Sequence, residues 1–553
     1  MNSPRIDLLW IGDADTALRW SLGSVYVVSD DPADVATGFD RILERAETDA
    51  VLTWDSSLGV PSEQNVREAL ARPGDVWHSG LRLGLGGKPE IIDFVVGTWM
   101  LNCDPHPEIE ATSWRLSLRA CLIRTDVLRQ MGHIRSGFNG LEAAGLEMGH
   151  RYIARGVIVR HIPWLAGRDL QRRDPRITVE DELRFAYLRF GANWMRWAAC
   201  RAILTRTFPI RPTIVATRRI LASSRPKDPP PFCHSHPSPV LPAEPRVTVL
   251  IPTIDRYPYL EVLLENLRTQ TVRPVEIIVV DQTRPERRRT DLADRFTDLP
   301  LRIIYQDEPG QCSSRNAGLQ ISTGEYIVFL DDDDEAGNTL IKDHLQNLEQ
   351  SRADVSSGVA HETGAGPLPE NFRYTRASDV FPTNNTLIRR GILTRSGLFD
   401  LAYNRGARAD GDLGMRVYQS GAVMVLNPAI SVLHHHAPQG GLRTHKARVV
   451  TYASSRNSIF QRHLPSVTEI YLARRYFTAR QVTEMLWQRV LGTFSVRGGI
   501  VRKVFKAIVS AILLPATLWE IRSRSRAARQ MLQRFPLIPP LHDSKCESAC
   551  EVV

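Results

Sequence analysis

From residue 246 onward, apolar and polar positions alternate between two kinds of segment. Val247–Ile251 is a short β-branched run that stops at Pro252. Tyr259–Thr269 carries Leu260, Leu263, Leu264 and Leu267 at helical spacing. Glu276–Val280 and Leu301–Tyr305 are strand-like, Ser313–Ile321 is helical with Gly324 just beyond it, and Tyr326–Leu330 is a third apolar run. Continuous apolar strands separated by helices predict an α/β domain with a parallel sheet covered on both faces. Ligands of such sheets bind beyond the carboxyl ends of the strands. Thr253, Asp281 and Asp331 stand at three of those ends. Residues 181–222 and 451–534 read as helical, with apolar and basic residues alternating as in RKVFKAIVSAILL.

Two further patterns divide the chain. Residues 225–245 contain eight prolines in 21 positions, which predicts a semi-rigid linker. Cys233, His234 and His236 within it read as incidental rather than as a metal site. At a constant offset of 265, residues 122–163 align with 387–428 without a gap, and about a quarter of the positions are identical. Leu122-Ile123-Arg124 meets Leu387-Ile388-Arg389, Gly132 meets Gly397, Arg151 meets Arg416, Gly156 meets Gly421 and Pro163 meets Pro428. This predicts an internal duplication. The expected organisation is a diverged α/β domain over 1–180, a basic helical segment over 181–224 and the linker over 225–245. A catalytic domain over 246–445, a basic helical region over 446–535 and a tail over 536–553 follow.

Composition refines this picture. The 553 residues are 43% hydrophobic and 24% charged, which excludes a disordered or fibrous chain, and the length calls for more than one domain. The net charge is +9. Residues 489–534 carry ten basic residues against Glu520, and residues 194–227 carry eight against none. These two stretches hold +9 and +8, which leaves the rest of the chain at −8. Neither stretch contains a nucleic-acid-binding motif, so nucleic acid is not an expected partner. Seven scattered cysteines fit a reducing compartment, with Cys546 and Cys550 an incidental pair. The first twenty residues lack a signal-peptide pattern, and the longest uncharged apolar stretch, Ala507–Trp519, is 13 residues and contains Pro515. The expectation is a cytoplasmic protein peripheral to the inner face of the plasma membrane.

Asp331-Asp332-Asp333-Asp334 follow directly on the strand YIVFL. Packed carboxylates raise the cost of ionising one another. In isolation such a run reads as a solvated acidic turn. At the binding edge of a parallel sheet it invites a divalent cation, and Mg²⁺ or Mn²⁺ would bridge it to a diphosphate.

The segments RVTVLIPTIDR, VEIIVVDQT, EPGQCSSRNAGLQISTGEYIVFLDDDD, GLFDLAYNRGARADGDLGMRVYQSG and LHHHAPQGGLR stand in an order that resembles family-2 glycosyltransferases of the GT-A fold, over about 200 residues. The resemblance implies a nucleotide-diphospho-sugar transferase with a Rossmann-like fold, here in tandem. It implies that Thr253 and Asp281, with Arg256 beside them, contact the nucleotide, bordered by Arg315 and Asn316. Asp331 would touch the ribose or the metal and Asp333 would ligate Mn²⁺ or Mg²⁺, with His434 or His435 joining them. Arg443, after Gly440-Gly441, would pair with a phosphate. Asp410 would be the general base; the usual Glu before it is replaced by Ala409, which leaves Asp412 as the alternative. Either could instead cap the following helix. An inverting transfer needs one such base and no covalent intermediate.

The constant offset sets Gly145 against Asp410 and Glu147 against Asp412. Ala50–Thr53 ends near one acid, Asp55, where the second copy has four. The first copy is therefore expected to be non-catalytic. The expected function is metal-dependent, inverting transfer of a sugar from a nucleotide-sugar donor to a glycan or lipid-linked acceptor in polysaccharide biosynthesis. The alternatives are a bifunctional tandem transferase using Asp55 with Glu142 or Glu147, and a non-catalytic glycan- or nucleic-acid-binding protein.

Overall fold

In a computed structural model the chain is described over residues 4–13, 19–45, 47–167, 175, 177–234, 241–364, 366–437 and 457–542. His236, Arg443, the Gly440-Gly441 pair, Cys546 and Cys550 lie outside the described residues.

Two sheets form the frame. The first comprises β1 (Ile6–Ile11), β2 (Val25–Val28), β3 (Ala50–Asp55), β4 (Val76–His78), β5 (Ala111–Thr112), β6 (Ala120–Arg124) and β7 (Val159–His161), in the order β2-β1-β3-β6-β4-β7-β5. The second comprises β8 (Val247–Thr253), β9 (Glu276–Asp281), β10 (Leu301–Tyr305), β11 (Tyr326–Phe329), β12 (Asp334–Ala336), β13 (Val355–Glu362), β14 (Arg376–Ala377), β15 (Thr386–Arg389) and β16 (Met424–His434). Its order is β10-β9-β8-β11-β15-β13-β16-β12, with β14 also on β16. The expected parallel pairing holds for β8 to β11, but β15 enters antiparallel to both β11 and β13. The sheet is mixed because an apolar run reports that a strand is buried, not which way it points.

Seven strands of the second sheet repeat the first in order and sense. β3 and β6 pair Ala50 with Arg124, as β11 and β15 pair Tyr326 with Arg389. β4 pairs Val76 with Ile123 and Val159, as β13 pairs Val355 with Ile388 and Met424. β5 and β14 stand 265 residues apart. The registers set Gly12, Ser29, Asp55 and Ser57 of the first unit level with Thr253, Asp281, Asp331 and Asp333 of the second.

The two units meet through the same surface of each. A Cβ on Gly156 would lie 2.7 Å from the Thr375 carbonyl oxygen, and one on Gly421 would lie 2.2 Å from that of Glu110. Both glycines have positive φ, 102° and 85°. Gly421 and Thr375 are each 265 residues beyond their counterparts, so the contact is reciprocal, as across a two-fold axis. A single buried cluster continues across it, from Leu9 and Met100 to Phe381 and Ile470.

The helical segments complete this core rather than standing apart. Val179–Phe190, Ala192–Leu204 and Ile210–Leu221 pack on the first unit. Val467–Tyr476 and Leu514–Arg534 pack on each other and on the second unit, where Tyr403 and Tyr471 meet edge to face at 5.3 Å. The proline-rich stretch is docked where it is described. The Phe232 side chain is buried, its amide donates to the Arg155 carbonyl at 2.7 Å, and Asp228 pairs with Arg189 at 2.9 Å.

Glu182, in the first turn of Val179–Phe190, is buried and accepts one hydrogen bond, from the Ile91 amide at 3.0 Å. Burial pushes its carboxyl up to about 7. A folded-state value above the unfolded one contributes stability that is complete below about pH 4 and is lost as pH rises through 7. Glu182→Gln should therefore gain in melting temperature relative to the wild type between pH 5 and pH 8 in thermal unfolding. A difference independent of pH would contradict this.

Candidate active site

β8, β9 and β11 run parallel, so Thr253, Asp281 and the segment after Phe329 arrive at one edge. Thr253 and Asp281 are direct partners in the β8–β9 register. Asp281 is buried and both its oxygens are taken up: Tyr257 donates to one at 2.6 Å and the Thr283 amide to the other at 2.9 Å. Tyr257 was not singled out in the sequence, although it opens the helix that follows Arg256.

The four aspartates diverge once the strand ends. Asp332 turns inward, accepting from Thr253 Oγ1 at 2.8 Å and from Arg256 at 2.9 Å. Burial pushes it up to about 7 against the opposing charge of Arg256. Asp331 is the most open, with a third of its side chain exposed, and pairs with Arg315 at 2.7 Å. Asp334 closes the turn by accepting from the Asp331 amide at 2.8 Å, and β12 brings it level with His434 on β16. His434 Nδ1 lies 2.8 Å from Asp334 and 3.7 Å from Asp333. Burial alone would depress this imidazole, but the Asp334 hydrogen bond and the surrounding carboxylates outweigh it and raise it to about 9.

Asp333 is the most informative of the four. It is buried, and its Oδ2 accepts from the Ala437 amide at 2.8 Å. Its Oδ1 lies 3.1 Å from Arg256 yet accepts no well-formed hydrogen bond. An orphaned buried carboxylate oxygen beside the open Asp331 has the donor chemistry of a Mg²⁺ or Mn²⁺ site. Among the described residues no three His, Cys, Asp or Glu side chains are arranged to hold a metal ion by themselves. The remaining ligands would have to come from a substrate diphosphate or water.

Three expectations need correction. His435 is next to His434 on an extended segment and so projects to the other side; its ring is held by Glu335 at 2.8 Å, away from Asp333. Asn316 does not face the edge, because its amide both donates to and accepts from the Phe399 backbone at 2.8 Å. Asp412 is fully buried and held by Arg416 at 2.8 Å and Tyr476 at 2.7 Å. Arg416 also donates to the Ser396 carbonyl at 2.5 Å. The first unit repeats this strut 265 residues earlier, with Glu147, Arg151 and the Met131 carbonyl. An arrangement present in both units, beside four aspartates in one and one in the other, is structural.

Asp410, two residues before, is exposed in the first turn of the helix Ala409–Gln419. The preceding Arg408 holds a left-handed backbone at φ 84° and pairs with Glu469 at 3.2 Å. A non-glycine residue there costs about 1–3 kcal/mol and fixes the direction in which the helix starts.

Residues 248–410 match the family model of glycosyl transferase family 2, which supports an α/β GT-A fold for the second unit. The chain is similar to the uncharacterized glycosyltransferase EpsJ of Bacillus subtilis (strain 168), 32% identical over 113 residues, covering 20% of this chain and 33% of EpsJ. It is also similar to YwdF of the same organism, 32% identical over 168 residues, 28% of this chain and 62% of YwdF. A third relative is the GalNAc(5)-diNAcBac-PP-undecaprenol beta-1,3-glucosyltransferase of Campylobacter jejuni, 31% identical over 123 residues, 22% and 38%. The matches thus span less than two thirds of these relatives' lengths. Among solved structures, the mannosyltransferase PcManGT from Pyrobaculum calidifontis aligns at 17% identity over 64% of this chain and 98% of its own, with a TM-score of 0.35.

Asp410 and Asp412 should separate in stability measurements. Asp412→Ala strands Arg416 in the interior and should cost about 3–5 kcal/mol in urea unfolding. Asp410→Ala should stay within about 0.5 kcal/mol of the wild type. Equal losses would contradict the assignment of Asp412 as a strut.

Proposed function

We propose that the chain is an inverting glycosyltransferase that moves a sugar from a nucleoside-diphosphate donor to a glycan or lipid-linked acceptor. The observation that carries this reading is the convergence of Thr253, Asp281, Asp331 and the orphaned Asp333 oxygen at one sheet edge. Asp410 takes the proton of the acceptor hydroxyl, whose oxygen attacks the anomeric carbon as the bond to the diphosphate breaks. The diphosphate leaves with the bonding electrons. Asp333, beside the open Asp331, would hold Mn²⁺ or Mg²⁺ together with oxygens of the diphosphate or water, and the ion when bound offsets charge on the departing diphosphate, while His434 stays paired with Asp334. Arg315 keeps Asp331 oriented, and Thr253 and Arg256 keep Asp332 out of the opening. The Campylobacter jejuni relative is named for an undecaprenyl diphosphate-linked acceptor, which favours a lipid-linked acceptor and polysaccharide biosynthesis.

The first unit, in this reading, is a diverged and non-catalytic copy. The shared strand order and the reciprocal glycine contact support the duplication. Gly12, Ser29 and Ser57 lack the groups of their counterparts Thr253, Asp281 and Asp333. Asp55 is closed off by Arg119, which also pairs with Glu142 at 2.7 Å.

A panel of nucleotide sugars with Mn²⁺ or Mg²⁺, read by donor hydrolysis and sugar transfer, tests both parts. Asp333→Ala should abolish all turnover. Asp410→Asn should lower kcat by about 10²–10⁴-fold with the donor KM unchanged. Asp55→Asn should leave turnover at the wild-type level. Transfer of a second sugar by the Asp333→Ala protein would show that the first unit is active.

A further inference from the structure

The helix Ile500–Ile512 is turned inside out relative to the rule for a soluble protein, in which the apolar face packs inward. Its buried residues are Lys506 and Ser510. Lys506 Nζ donates to the carbonyls of Ile459 at 2.6 Å and Gln461 at 3.0 Å, and Ser510 donates to the Thr493 carbonyl at 2.7 Å. The opposite face carries Ile500, Val501, Val504, Phe505, Ile508 and Ile512, all exposed, with Ile500, Val501 and Ile512 at 77%, 79% and 73%. At 100° per residue these six fall within an arc of about 140°, with Lys506 and Ser510 on the far side. Arg502 and Lys503, both exposed, flank the arc on its two sides. Phe460 meets the Phe505 ring edge to face at 6.4 Å and is itself 69% exposed, so it extends the apolar face rather than covering it.

We infer that this face is a docking surface for an anionic lipid bilayer. Charge selects the occupant. Residues 489–534 carry ten basic residues, and their one acid, Glu520, is already paired with Arg462 at 3.1 Å and with Arg524. A second copy of the chain would set one basic rim against another, whereas anionic headgroups complement the rim and hydrocarbon accepts the stripe. The helix lies on the bilayer rather than across it. Thirteen residues span about 20 Å, short of a hydrocarbon core of about 30 Å. No single described helix is long and apolar enough to cross a membrane; Ile500–Ile512 qualifies only together with Leu514–Arg534, across a 60° bend. That second helix is fastened to the protein through Thr517 to Arg462 at 3.1 Å, Ser525 to Arg474 at 2.7 Å and Arg524 to the Pro465 carbonyl at 2.8 Å. The inference stands independently of the proposed sugar transfer.

Co-sedimentation of the full chain with lipid vesicles tests it. Binding is expected to vesicles of phosphatidylcholine with about a third phosphatidylglycerol, to fall at high salt, and to be much weaker on phosphatidylcholine alone. The triple variant Val501→Ser, Val504→Ser, Ile508→Ser should lose binding while keeping the wild-type melting temperature. The double variant Arg502→Glu, Lys503→Glu should bind at least about tenfold more weakly. Absence of binding to the anionic vesicles would overturn the inference. So would concentration-dependent dimerisation abolished by the triple variant, which would assign the face to a second copy. A triple variant that melts early and was never preceded by vesicle binding would mean that the chain itself covers the face, with the same consequence.

Discussion

Four carboxylates leave one strand end, and the second unit is arranged around making that tolerable. Each ionised neighbour raises the cost of the next, and burial raises it again. The compensating cations come from three separate elements. Arg256 precedes the helix Tyr257–Arg268, Arg315 sits on Gln311–Ile321, and His434 ends β16. The charge problem thereby pins the first helix of the domain, the helix before β11 and its penultimate edge strand to one point. What remains without a well-formed hydrogen bond, one oxygen of Asp333 beside Arg256, is where a bound cation and its diphosphate would add a further partner.

The same economy appears in how the units are joined. A reciprocal contact at Gly156 and Gly421 lets two like surfaces approach to backbone distance, and one core runs through both. In this architecture the first unit acts on the second by packing: Trp99 donates to Asp379 at 2.5 Å and Arg160 to the Gly421 carbonyl at 3.2 Å. The carboxyl-terminal helices do the same from the other side, with Tyr476 clamping Asp412 and Glu469 holding Arg408. The helix that bears Asp410 is thus braced from two sides, while Asp410 itself faces solvent. The helix Ile500–Ile512 is the exception to this inward economy, since its polar residues make the protein contacts and its apolar ones do not.

The parts of the site that could be read from the sequence are those set by local pattern. An apolar run followed at once by a polar residue marks a buried strand and its end, so Thr253, Asp281 and Asp331 were legible, as was the 265-residue repeat. Strand direction was not legible, because β11 and β15 are equally apolar whichever way they run. Asp410 and Asp412 could not be separated, since both occupy the first turn of one helix. What buries Asp412 is Tyr476, 64 residues later. The repeat did carry a usable signal, because Glu147 with Arg151 mirrors Asp412 with Arg416. His434 could likewise have been preferred over His435 had the β12–β16 register been known, as adjacent strand residues point to opposite sides. An apolar stripe on 500–512 was visible, but periodicity does not say which side meets the protein.

The central claim is that the aspartate edge is completed by a divalent cation and a diphosphate together. Calorimetric titration of a nucleoside diphosphate into the full chain, with and without Mn²⁺, tests it most directly. The account predicts binding that requires Mn²⁺ in the wild type and is lost in Asp333→Ala, with Asp410→Asn binding like the wild type. Equally tight binding without the metal, or an Asp333→Ala protein that binds unchanged, would contradict it.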